Sequence, residues 1–77
     1  MAKRRVILTF PTELLVEPIT HTLGQQFNLV TNIRRAEVTE DRGWLVLELE
    51  GKDEDIEDGI SWAISKGVRV DPVSNEY

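Results

Sequence analysis

From Trp44 to Glu50 the chain alternates without a slip. Leu45, Leu47 and Leu49 share one parity, and Trp44, Val46, Glu48 and Glu50 share the other. A period of two belongs to a β-strand with one apolar face against a core. Residues 3–10 repeat the pattern, with Val6, Leu8 and Phe10 on one face and Arg5, Ile7 and Thr9 on the other. Pro11 lacks a ladder donor and is expected to stop that strand.

Two segments switch to helical spacing. Leu15, Ile19, Leu23 and Phe27 recur every fourth residue. Pro18 disfavours a continuous helix there. The spacing therefore predicts a loop or turn over 11–16, a helix opening near Glu17–Pro18, and a stop at Asn28. Ile56, Ile60, Ala63 and Ile64 form the second stripe, with Trp62 pointing away from it. Asp53 is the expected N-cap, followed by Glu54, Asp55 and Glu57 where the helix dipole favours negative charge. Gly59 lies beside the stripe, where it lets the helix approach the sheet. Lys66 is expected in the last turn and Gly67 at C′.

Residues 29–40 read as a strand with conflicting phase. Leu29 and Ile33 share one parity, whereas Val30, Ala36 and Val38 share the other. A bulge near Arg34–Arg35 reconciles them. Glu40–Gly43 reads as the turn of a hairpin. Val68–Val70 starts a last strand ended by Asp71–Pro72, and residues 74–77 form a loose tail. The order β-α-β-β-α-β predicts an α+β, ferredoxin-like sandwich. Its antiparallel sheet runs in the order 4-1-3-2, with both helices on one face. Val6, Leu8, Phe10, Leu45, Leu47, Leu49, Val68 and Val70 are the expected helix-facing set. One domain spans residues 1–77, with an ordered core over about 3–73.

Leu, Ile, Val and Phe number 24 of 77 residues, enough for a packed core. Chains this small bury only about 60% of their unfolded surface and often need help. The chain has no Cys and one His. That excludes disulfides, thiolate zinc, cysteine-ligated clusters, cysteine nucleophiles and a His-rich metal site, and leaves a partner chain. No cofactor or catalytic set is indicated. His21 reads as an ordinary surface histidine. The acidic run Asp53–Asp58 reads as a charged helix start, since it lacks the ligand alternation and Gly of an EF-hand loop. The basic start Met1–Arg5 precedes an apolar stretch too short for a signal peptide, and no run could span a membrane. A cytoplasmic location is therefore expected.

The net charge of -5 divides into +3 over residues 1–35 and -8 over residues 36–77. An acidic chain disfavours nucleic acid or an anionic membrane. RNA-recognition motifs share this element order and stack bases on sheet aromatics, but the expected open face here carries Glu48 and Glu50 instead. On that face Ile7, Val46 and Trp44 are expected to form an apolar centre, rimmed by Arg5 and Glu48. This is the candidate homodimer interface.

The chain resembles the NIL domain family. The resemblance rests on Asn32-Ile33 at the start of the second strand, Leu8-Thr9-Phe10, Pro18, Leu45 to Gly51, Ile60, Ala63, and Gly67 to Val70. It covers nearly the whole chain. The family is similar to ACT domains and occurs at the C-terminus of the ATPase subunits of methionine-importing ABC transporters, alone, or fused to ferredoxin-type modules. The resemblance implies a non-catalytic regulatory domain that pairs through its sheet and binds an amino acid, methionine in the transporter version. Asn32 matches the motif asparagine. Asn32, Ile33 and Arg34 are thus the ligand-site candidates, and a transporter or another protein is the expected partner in trans. The third motif position holds Arg34 instead of Leu, which, if it lines a pocket, suits an acidic ligand or a partner carboxylate better than a thioether. The alternative is a protein-interaction module without a small ligand, using a sheet edge or the Trp62 surface, accessory to a redox or sulfur-metabolism system.

Overall fold

The computed structural model of the chain describes residues 1–11 and 19–73. The elements are β1 (Ala2–Pro11), α1 (Ile19–Gln26), β2 (Val30–Val38), β3 (Arg42–Gly51), α2 (Asp53–Ser65) and β4 (Arg69–Pro72). Their order is the expected one. The sheet runs β2-β3-β1-β4, which is 4-1-3-2 read from the other edge, and all three strand pairs are antiparallel. The expected turn over 11–16, together with Leu15, Glu17 and Pro18, lies outside the described residues except at Pro11, which ends β1 opposite Arg42. The tail 74–77 also lies outside them.

The core sits on one face of the sheet. Val6, Leu8 and Phe10 of β1 and Leu47 and Leu49 of β3 meet Ile19 and Leu23 of α1 and Ile56 and Ala63 of α2. Leu29 and Val68 complete the cluster. Leu45 and Val70 are only partly buried against it, because they lie toward its margin. Among the described residues, no polar or charged side chain is buried in this core.

The helices depart from expectation in four places. Lys52, not Asp53, is the N-cap residue of α2, and no side chain caps it. Asp53 has already entered the helix, so its carboxylate acts through the dipole, together with Glu54 and Asp55. Lys66 is the C-cap residue and lies just past the last turn. Ile64 is 55% exposed and outside the stripe. At about 100° per residue it lies a quarter-turn from the line of Ile56, Gly59 and Ala63. Trp62 flanks the other side, and its longer side chain reaches back onto the core. Its ring meets Phe27 at 5.7 Å between centroids, and the Lys66 ammonium lies 6.0 Å from its centre.

Gly67 closes α2 as the sequence predicts. Its φ is 94°, which a side chain strains. Gly67 N–H donates to the Ile64 carbonyl at 3.0 Å, and Val68 N–H donates to the Ala63 carbonyl at 3.1 Å. This is a Schellman closure, and its hydrophobic contact comes from Val68 and Ala63, both in the core. Gly59 also permits a close approach, though not to the sheet. A Cβ there would meet Leu23 and Leu29 side-chain carbons at 3.1 Å.

These features set two expected outcomes for chemical denaturation. Leu47→Ala, at a fully buried position, should lower stability by about 2–5 kcal/mol. Gly67→Ala should cost about 1 kcal/mol through the positive φ.

Candidate functional site

The site is built on β2, the edge strand. The expected bulge is present: Ile33 opposes Leu47 and Arg35 opposes Val46, so Arg34 is the extra residue. The bulge reverses the strand's phase. Before it, Asn32 shares the helix-free face with Glu48, and Ile33 shares the core face with Leu47. After it, Arg35 and Glu37 join the helix-free face with Val46 and Trp44, and Ala36 and Val38 join the core face.

Although β2 has a core face, little covers it. On that face Ile33 is 56% exposed and Val38 55%, while Val30, opposite Glu50 on the helix-free face, is 52% exposed. The core cluster ends at β3 and at Leu29, the residue before β2. The apolar parities that conflicted in the sequence are therefore not both buried. Leu29 alone enters the core.

The helix-free face is a grid set by register. Asn32, Glu48 and Arg5 form one row; Arg35, Val46, Ile7 and Asp71 form the next; Glu37, Trp44, Thr9 and Arg69 form the third. Arg5 Nη2 donates to Glu48 Oε2 at 3.1 Å. This hydrogen bond holds the Glu48 carboxyl below the usual carboxylate range, against partial desolvation, with further help from the charges of Arg5, Arg34 and Lys3. Arg69 Nε donates to Asp71 Oδ2 at 2.9 Å along the other edge.

The five candidate interface residues do lie together on this face, but with less free apolar surface than the sequence suggests. Val46 is only 1% exposed. Its grid neighbours are longer side chains, whose stems can cover a short one. Ile7 and Trp44 are half-buried, and Arg5 and Glu48 are engaged with one another. Sequence reasoning missed the exposed stripe on β2, because parity alone does not say where a sheet's helical cover stops.

Asn32, Ile33 and Arg34 are consecutive and exposed. The bulge and the pleat send Asn32 and Ile33 to opposite faces. None of the three lines the shallow depression of about 660 Å³ bounded by Met1, Ala2, Lys52, Asp53 and Glu54. His21 is exposed on α1. Among the described residues, no group of three or more His, Asp or Glu side chains converges as a metal site, and no helix is long and apolar enough to cross a membrane.

A family model described as the NIL domain matches residues 4–72. Comparison with curated proteins finds no match. Among solved structures, the fold is similar to the C-terminal domain of an ABC transporter ATP-binding protein from Enterococcus faecalis. The TM-score is 0.79 at 21% identity, over 94% of this chain and 84% of that one.

The Arg5–Glu48 pair makes a pH prediction. A carboxyl whose pKa is lowered by folding adds stability above its unfolded pKa. That stability is lost as pH falls through the folded value. Unfolding midpoints of the wild type should therefore drop on acidification below the usual carboxylate range. Glu48→Gln should show a shallower drop, measured by thermal melts across that window.

Proposed function

The chain belongs to the NIL domain family, and from that premise we propose that it is a non-catalytic regulatory domain that binds an amino acid as a homodimer and is linked to ABC-transporter control. The observation that carries this reading is the family match over residues 4–72, with the motif asparagine, Asn32, exposed on an open strand edge. The likeness to a transporter ATPase domain supports the fold that such a role requires.

An exposed amide can accept from an ammonium group and donate to a carboxylate. Asn32 is thus suited to the backbone groups of a free amino acid. Ile33 supplies an apolar contact on the other face of the strand. Arg34 supplies a fixed positive charge whose influence reaches Glu48, and it favours a ligand or partner carboxylate over a purely apolar thioether. The site is half of a pocket on this reading, and a second copy supplies the remaining wall. A regulatory domain in the cytoplasm, beside the nucleotide-binding subunits of a transporter, is the setting that fits.

A thermal-shift screen across the amino acids tests the ligand. A ligand that binds only the folded state raises the unfolding midpoint as its concentration exceeds Kd. Methionine or an acidic amino acid should give a rise that grows with the logarithm of its concentration, and Asn32→Ala should abolish it while leaving the ligand-free midpoint nearly unchanged. No response to any amino acid would remove the sensing role.

A further inference from the structure

On the helix-free face Asn32, Glu48 and Arg5 stand in one row across β2, β3 and β1. Residues directly opposite on one sheet face have Cβ atoms about 4.5–5.5 Å apart, so the Asn32 amide and the Glu48 carboxylate can meet the same small group above the sheet. Three cations act there. Arg5 Nη2 donates to Glu48 Oε2 at 3.1 Å. The charges of Arg34 and Lys3 also reach the Glu48 carboxyl and, with Arg5, keep it ionised. Lys3, Arg5 and Arg34 against Glu48 and Glu50 leave one surplus positive charge, in a chain whose net charge is -5.

Glu48 is singled out by position. The helix-free face carries Glu37, Glu48, Glu50 and Asp71 among the described residues. Glu50 stands opposite Val30 and Lys3, Glu37 stands opposite Trp44, and Asp71 accepts from Arg69. Of these four acids, Glu48 alone stands opposite Asn32.

We propose that Glu48 is the ammonium-binding residue of the amino-acid site: the ligand's head lies on the helix-free face over Asn32 and Glu48, its ammonium donates to the Glu48 carboxylate and the Asn32 amide oxygen, and its carboxylate accepts from Arg34. This rests on the amino-acid-binding reading above and deepens it. An ammonium group has three donors and no acceptor, so it needs an anion with another acceptor beside it. A carboxylate has two oxygens and about four acceptor sites, so holding Arg5 leaves Glu48 able to take a second donor. The surplus positive charge serves the ligand's carboxylate. Charge-assisted hydrogen bonds of this kind are the strong ones, and a ligand lacking its ammonium forfeits them.

A ligand-by-residue cycle tests the assignment. Each amino acid that shifts the wild-type unfolding midpoint, methionine and glutamate first, is titrated by calorimetry alongside its 2-hydroxy-acid analogue, in which a hydroxyl replaces the ammonium. The wild type should bind the amino acid at least about tenfold more tightly than the analogue. Glu48→Gln should lose that preference, by weakening the amino acid and leaving the analogue nearly unchanged. A misfolded variant would lose both ligands together. Glu50→Gln removes the same charge from the same face two residues along β3 and should keep the preference. A Glu48→Gln chain that still prefers the amino acid as the wild type does, or that loses both ligands equally, overturns the role of Glu48 and leaves the amino-acid site standing. A wild type that responds to no amino acid overturns the sensing reading and this assignment together.

Discussion

Ten residue pairs between β1 and β3, from Ala2 opposite Gly51 to Pro11 opposite Arg42, hold the rest of the fold in place. In this register Val6 sits beside Leu47, Leu8 beside Leu45, and Arg5 beside Glu48. One face of the two central strands becomes a continuous apolar floor, and both helices settle on it. The other face receives the charges. A slip of one residue would exchange the faces and put Leu45, Leu47 and Leu49 in water. Among the described residues the core holds no polar side chain to fix its register internally, so hydrophobic pattern carries that task, assisted by the Arg5–Glu48 pair on the outside.

The edges follow from that centre by different physics. β4 is short and closes against β1, with Val73 N–H donating to the Arg5 carbonyl at 3.1 Å. β2 is long and only partly supported. Its bulge relaxes the conflict between two apolar phases, but it does so by turning Ile33 and Val38 to the same side, beyond the margin of the helical cover. An extra residue that looks like a local repair of one strand therefore determines which side chains that strand leaves uncovered.

Much of the fold was legible. Alternation located β1 and β3, conflicting parity located the bulge, and Gly67 located the end of α2. What failed was finer. Asp53 looked like a cap, since acids are common there, yet the chain enters the helix one residue earlier. Ile64 matched the spacing of the stripe but lies at its flank, and Trp62, set aside as pointing away, is large enough to return to the core through Phe27. A periodicity marks an azimuth and does not measure how far a side chain can reach.

The candidate site divides in the same way. Sequence alone determined that Asn32 and Ile33 open the second strand, that Arg34 stands in the third motif position, and that a small cysteine-free chain with one histidine must find stability and function without metal–thiolate or disulfide chemistry. Only tertiary structure decided which surfaces remain free. Val46 was legible as an outward residue but is buried, whereas the parity of Ile33 left its exposure open and it is exposed. The reason is physical: alternation assigns a side chain to a face of the sheet, but exposure depends on what the other elements place over that face, and strand order and helix length fix that cover across contacts far apart in the chain.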